Sequence, residues 1–370
     1  MRHYRKTPLL SLLNAFYALC AMLYILLLNG CGQTSQVTDI TGTDATVIGV
    51  LLPLTGDKSE KGQEVFKGIE AAYYREKPKN VNLLVRDTKA DPSKTRELLK
   101  SMPFAKVVLG PLYADELKNV SHERAADQIL ISFSNDISQA DGANIIMGIN
   151  PNDEVAFMVK KAHASGMQRF AALLPDTEYG RRIEKVFTEE LADVGAELVR
   201  VSYYSNTNYD VYGAVAALRD SAIDAILVPE GGKRLGVLFR ELKRNKVQGR
   251  LLGLSLWDEN LPKGVRLNGS WYAMPLSPNR SWFRTFYYNL YNKTPSTQAM
   301  LGFDAMSLLV TLLKRDPVAP FQWDNFTIDR GFQGVSGEFE VMDNGLVNRR
   351  MTILEISDSA PVVVAEEEGF

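Results

Sequence analysis

The chain has 370 residues, 45% of them hydrophobic, and a formal net charge of −2. That length fits two or three compact units with sizeable apolar cores. The near-neutral balance, without a basic or acidic tail, leaves no electrostatic footprint for nucleic acid or for an anionic membrane face.

The first thirty residues stand apart. Arg2, His3, Arg5 and Lys6 make a positive start, an apolar run follows from Leu9 to Leu28, and it closes on Leu28-Asn29-Gly30-Cys31. A basic start, an apolar centre and a small residue at the cut are the order of a secretory signal peptide. A membrane-spanning anchor is the alternative, because the run approaches the ~20 residues that cross a bilayer. The Leu-Asn-Gly-Cys ending resembles a bacterial lipobox, which implies cleavage before Cys31 and lipidation of its thiol. Cys20 and Cys31 are the only cysteines, so the domain beyond them has no thiol for a disulfide. Residues 32–45 are rich in Thr, Ser, Gln, Gly and Asp and read as a flexible tether. Gly32, directly after the cysteine, resembles the outer-membrane sorting class; the expected location is the periplasm, with a lipid anchor.

From Thr46 onward strands and helices alternate. The run Val47–Leu52, bounded by Pro53 and Gly56, reads as a buried parallel strand. Gly62 to Lys77 follows as a helix, with Val65, Ile69, Ala72 and Tyr73 on one face. Val81–Val85 is the next strand, and Asp91-Pro92 opens a helix with a capping Asp and a first-turn Pro. Strands at 107–109 and 129–131 flank a helix at 115–127. Beyond Pro151, helices are predicted at 153–165, 180–194, 209–220 and 232–244, and strands at 170–174, 198–203, 225–228 and 251–254. Repeated units of this kind build parallel sheets covered by helices on both faces. The expected fold class is α/β, in two lobes that are each a parallel sheet flanked by helices; one larger sheet is the alternative.

The last third breaks the alternation. Helices are predicted at 281–292 and 298–314, then a hairpin of Glu338–Val341 and Arg350–Ile356 around Asp343-Asn344-Gly345. A chain that ends this way can cross back between lobes. The expected division is a signal peptide at 1–30 and a tether at 31–45. Lobe one would take 46–149 with 272–325, lobe two 150–271 with 326–361, and 362–370 would be a tail.

Ligands of open parallel sheets sit beyond the carboxyl ends of strands. Six such ends carry glycine, hydroxyl, amide or acidic groups just before a helix: 53–56, 110–113, 132–135, 176–180, 229–232 and 256–258. Helix starts there offer unpaired N–H groups. The candidate cleft residues are Thr55, Leu112, Tyr113, Ser134, Asn135, Tyr179, Glu230, Trp257 and Asp258. Aromatic rings among them could wall a pocket, and Glu230 and Asp258 could meet an ammonium. Singly, each loop also reads as ordinary turn chemistry.

Catalytic signals are missing. The histidines are His3, His122 and His163, none in a metal-binding spacing. There is no Gly-x-Ser-x-Gly elbow, and Gly334-Val335-Ser336-Gly337 reads as a turn before a strand. Gly231-Gly232-Lys233-Arg234 lacks the spacing of a phosphate loop. The sequence therefore supports no enzyme, metal or cofactor.

The strand at 47–52, the Leu-Pro-Leu-Thr-Gly loop and the helix with Gly62, Gly68 and Ala71-Ala72 resemble type I periplasmic binding proteins, nearest to the leucine-binding branch. A narrower resemblance rests on Leu109–Leu112, Phe133–Asp136, Phe170–Leu173, Tyr179–Arg182, Val228–Gly232, Gly253–Asp258, Gly334–Phe339 and Asn344-Gly345. In that order they are similar to the penicillin-binding protein activator lipoproteins. That resemblance implies a binding-protein fold without catalysis and a peptidoglycan synthase, a bifunctional penicillin-binding protein, as partner. One departure concerns the amino-acid grip. The amino-acid-binding branch has small hydroxyl residues where this chain has Tyr113-Ala114-Asp115 and Ser134-Asn135-Asp136, and an Asp beside a ligand carboxylate would repel it. Two functions stay open: a regulatory module acting on cell-wall synthesis, and a solute-binding receptor that feeds a permease with amino acids or a related small polar ligand.

Overall fold

Short apolar runs buried on both faces become the inner strands of two sheets. A computed structural model of the chain describes residues 45–205, 211–219, 222–261, 267–327, 331–358 and 360–367. β1 (Thr46–Leu52), β2 (Val81–Asp87), β3 (Val107–Leu109), β4 (Ile129–Ser132) and β5 (Asn144–Ile146) form the first sheet, in the order β2-β1-β3-β4-β5. All its pairings are parallel. Successive side chains alternate between faces. Ile48, Val50 and Leu52 therefore enter one core, while Leu51 joins Val108, Leu130 and Ile146 on the other. Helices α1 (Ser59–Glu76), α2 (Pro92–Lys100) and α3 (Ala114–Val120) connect these strands.

The second sheet begins after α4 (Pro151–Ala164). It contains β6 (Arg169–Pro175), β7 (Glu197–Tyr204), β8 (Ala225–Leu227), β9 (Arg250–Gly253) and β10 (Trp271–Pro275). Helices α5 (Glu178–Val194), α6 (Tyr212–Ala216), α7 (Gly232–Arg244) and α8 (Leu256–Asn260) link them. Ala171, Leu173 and Ile226 face one core and Phe170, Ala172 and Leu227 the other. Helix starts follow local chemistry: Asp91, Asn150, Thr177 and Ser296 each accept backbone N–H bonds from the first turn, and Pro92 and Pro151 begin their helices.

The chain then returns to the first sheet as α9 (Arg280–Tyr291) and α10 (Thr297–Arg315). α10 packs so closely on α1 that glycine is required at the contact. A Cβ on Gly68 would lie 1.9 Å from the Ala299 carbonyl oxygen, and one on Gly302 2.1 Å from that of Val65. After α11 (Trp323–Phe326), β11 (Phe332–Gln333), β12 (Glu338–Val341) and β13 (Val347–Arg349) form a small antiparallel sheet. Its Phe339, Val341 and Val347 complete the core over the first sheet. The chain crosses once more at Arg350 into β14 (Met351–Glu355) and β15 (Val362–Glu366), which extend the second sheet to the order β15-β14-β10-β9-β8-β6-β7.

Several placements differ from the sequence reading. Apart from one Arg350 N–H bond to the Glu338 carbonyl, the stretch from Arg350 to Ile356 does not pair with Glu338–Val341; the hairpin partner is Val347–Arg349, and β14 lies antiparallel to β10. The stretch given to lobe one from residue 272 starts inside β10, a strand of the second sheet. The residues after 326 include the small sheet, which packs on the first core. The expected tail at 362–370 contains β15, paired with β14. The helix expected at 115–127 ends at Val120, where the Ser121 hydroxyl bonds back to the Leu117 carbonyl at 2.7 Å. The expected helix at 209–220 is short, Tyr212–Ala216, with 206–210 and 220 outside the described residues.

Candidate functional site

The carboxyl ends of both sheets open onto one cleft of about 670 Å³. From the first sheet it is walled by Leu112, Tyr113, Phe133, Ser134 and Asn135, and from the second by Tyr179 and Ser255. Lys58 just before α1, Lys61 and Glu64 within it, Glu154 from α4 and Ser296–Gln298 at the start of α10 complete the lining.

Tyr113 stands at the head of α3. Its backbone N–H donates to Glu116 at 3.3 Å, and its hydroxyl donates to the Lys58 carbonyl at 3.0 Å. The Lys58 ammonium lies 5.5 Å from the Tyr113 ring centre. Ser134 is buried, and its Oγ accepts the Asp136 N–H at 3.0 Å, whereas Asn135 is exposed. Glu154 is 2% exposed and its Oε1 accepts the Ser255 N–H at 2.7 Å. Burial outweighs that bond and pushes the carboxyl up to about 8, so at pH 7 it is mainly neutral. The Tyr179 hydroxyl is likewise raised, first by burial and then by the charges of Glu154 and Glu230. The wall is polar and mixed in sign, and it presents a protonated carboxyl.

Of the nine expected cleft residues, the structure brings five together: Leu112, Tyr113, Ser134, Asn135 and Tyr179. The other four are elsewhere. Thr55 donates to Asp87 at 2.5 Å, and Asp87 also accepts the N–H groups of Leu54 and Lys89 at 2.8 and 3.0 Å. These bonds overcome burial and hold the Asp87 carboxyl below its usual range, so this acid organises the loop after β1. Glu230 accepts from the Tyr204 hydroxyl at 2.8 Å, from Arg234 at 3.1 Å and from the Gly231 N–H at 3.1 Å. Trp257 is fully buried and donates from Nε1 to the Val228 carbonyl at 3.2 Å. Its ring fills the space beside Gly253, where a Cβ would come within 2.1 Å of it. Asp258 forms an ion pair with Arg280. The two acids proposed to meet an ammonium are thus spent on internal partners.

Glu154 and Ser255 were not singled out from the sequence. Three residues after Pro151, Glu154 looks like an ordinary acid in a helix's first turn; only its burial distinguishes it. Among the described residues, no group of three or more His, Cys, Asp or Glu is placed to hold a metal ion. Cys31, the expected lipidation site, lies outside the described residues.

The family described as LppC putative lipoprotein matches residues 33–232. A Mannheimia succiniciproducens protein named penicillin-binding protein activator LpoA is 24% identical over 187 residues, 50% of this chain and 32% of that protein. A Vibrio cholerae protein of the same name is 23% identical, over 46% of this chain and 30% of its own length. The chain thus spans about a third of these relatives' length. An uncharacterized protein of Rickettsia prowazekii is 21% identical over 71% of this chain and 73% of its own. Among solved structures, the leucine-binding protein LivK of Thermotoga maritima superposes with a TM-score of 0.66 at 18% identity, over 87% of this chain and 98% of that one. A putative branched-chain amino acid ABC transporter protein of Rhodospirillum rubrum gives 0.75 at 18% identity, over 86% and 100%. The fold is that of the two-lobed, leucine-binding-protein-like type I periplasmic binding proteins.

Proposed function

The chain belongs to the LppC family of putative lipoproteins, and from that premise we propose that it is a non-enzymatic activator of a peptidoglycan synthase of the penicillin-binding protein class. The observation that carries this reading over a solute receptor is the commitment of Glu230, Trp257 and Asp258 to internal contacts. A receptor for a zwitterion needs an anionic group free to meet the ammonium. Here two acids already hold Arg234 and Arg280, and Glu154 favours its neutral form. The names of the activator relatives support the partner class, and the fold supplies a rigid surface for it.

In this reading the chain is periplasmic, lipidated at Cys31 and held at the outer membrane, with Gly32 after the anchor. If residues 32–45 are the tether expected from the sequence, their root-mean-square span would be roughly 20 Å, and in this reading the synthase extends toward the anchor to meet the domain. Replacing Cys31 by Ala is expected to release the protein from membranes while the domain still folds; co-fractionation of the variant with membranes like wild type would refute the anchor.

The test of function adds the Cys31→Ala chain to a bifunctional penicillin-binding protein ectodomain. Glycan polymerisation and cross-linking should rise several-fold, and calorimetry against leucine should give no heat. Micromolar leucine binding with no effect on the synthase would establish the receptor instead.

A further inference from the structure

The chain passes between the two sheets at residues 147–150, at 276–279 and at Arg350. We infer that these three crossings are locked together by one buried polar hub, the turn Gly334–Gly337, so that the cleft is held at one fixed opening. The inference concerns the domain's own motion and stands whether or not a synthase is the partner.

The hub is built from α10. Asp304, 2% exposed, accepts the N–H of Val335 at 2.6 Å and the N–H and hydroxyl of Ser336 at 2.9 and 2.5 Å. That carboxylate fixes the turn, and from the turn a contact runs to each crossing. Ser277, in the second crossing, donates its hydroxyl to the Gly334 carbonyl at 2.5 Å. Gly337 sits against Pro275 at the start of that crossing, where a Cβ would be 2.7 Å from the proline ring. Arg349, at the edge of the third crossing, donates to Ser336 Oγ at 3.0 Å. Its other terminal nitrogen donates to the Met147 carbonyl, in the first crossing, at 2.8 Å. Arg349 is 1% exposed, and its Nε has no partner.

Two-lobed binding proteins close by bending a few residues at such crossings. Bending needs the crossings to rotate independently of the small sheet between them. Here Ser277 is bonded to the turn directly, and Arg349, next to the third crossing, links the turn to Met147 of the first, all through groups shielded from water, where breaking a bond strands a polar group. A buried arginine that leaves one nitrogen unpaired is a poor stabiliser compared with apolar packing. Its planar fork, however, can hold two carbonyl or hydroxyl acceptors at a set angle, which a lysine cannot.

The experiment uses the full chain in detergent, with Cys20→Ser and Cys31→Ser and spin labels on Asp57→Cys and Glu178→Cys, exposed sites on opposite lobes. Pulsed dipolar spectroscopy should give one narrow distance distribution in this background. Adding Ser277→Ala or Arg349→Lys, which each cut one tie and keep the buried charges balanced, should broaden it at least two-fold or add a second maximum. Two populations already present in the unaltered hub, or variants that unfold cooperatively yet keep the narrow distribution, would overturn the lock. If neither variant folds, the distribution of the unaltered hub decides alone: one narrow distance sustains the lock and a broad or split one ends it.

Discussion

Replacing Arg349 by Met is expected to destabilise the domain by about 3 kcal/mol, because it strands the buried Ser336 and Met147 acceptors and removes the charge that reaches Asp304 across the Ser336 hydroxyl. Methionine fills much of the same volume, so the loss is not a cavity effect. It arises because Asp304 remains in the core with three hydrogen bonds and no opposing charge. Burial already lowers Arg349 to about 10, still well above neutrality, so the arginine is charged. Burial also holds the Asp304 carboxyl above its usual value, despite its hydrogen bonds and the arginine. In the variant that carboxyl escapes by taking a proton, which costs more as pH rises. The destabilisation read from urea unfolding should therefore be larger at pH 8 than at pH 5. Adding Asp304→Asn should recover part of the loss, because the uncompensated charge is gone. A loss under about 1 kcal/mol at both pH values would mean that the pair does not hold the turn.

The hub also shows where sequence reasoning stops. The strands at 47–52, 107–109 and 129–131 were legible because a parallel strand covered on both faces is an unbroken apolar run. The helix start at Asp91-Pro92 was legible because capping chemistry is local, whereas the helix expected from residue 153 begins two residues earlier, at Pro151 behind an Asn150 cap. Arg349 and Arg350 are neighbours of one residue type, yet one is buried and the other half-buried; nothing local separates them. The same holds in the cleft. Glu230 finds Tyr204 and Asp258 finds Arg280, 26 and 22 residues away in sequence, and those pairings depend on strand order. The Gly-Val-Ser-Gly stretch was read correctly as a turn, but its hold on three crossings comes from Asp304, about thirty residues earlier. The final strands were misassigned for a related reason. Val362–Glu366 is an exposed edge with apolar residues, and a short run near a chain end carries no register until a partner is known.

Activator and receptor require different things of one fold. A receptor gains selectivity when its lobes close around a solute, so its crossings must bend and its acids must be free. An activator gains from presenting the same face at every encounter, since ordering a mobile surface on binding costs affinity. The tied crossings meet the second requirement, and the occupied Glu230 and Asp258 fail the first. They are separate features, on different elements, and the experiments above probe them separately.

The pH dependence of stability should carry the mark of Glu154. Its carboxyl is raised from 4.5 to about 8 by burial, against the Ser255 hydrogen bonds. Below pH 4.5 the folded and unfolded states both hold the proton. Between pH 4.5 and 8 the unfolded chain releases it while the folded chain keeps it, so folding weakens by about 1.4 kcal/mol per unit. Above pH 8 both states are ionised and the slope vanishes. The stabilising contribution is thus complete in acid and lost as pH rises through the folded value, a total of about 4–5 kcal/mol. Glu154→Gln keeps an acceptor for the Ser255 N–H and cannot ionise. Its stability relative to wild type should rise steadily from pH 4.5 to pH 8, in urea unfolding at pH 4.5, 6 and 8. Asp153, Tyr179 and every other titrating group are common to both proteins and largely cancel in that difference. A difference constant with pH would show that Glu154 is ionised at neutrality in the folded cleft. The wall would then carry an anion free to meet a ligand's ammonium, and the case against a zwitterion receptor would rest on Glu230 and Asp258 alone.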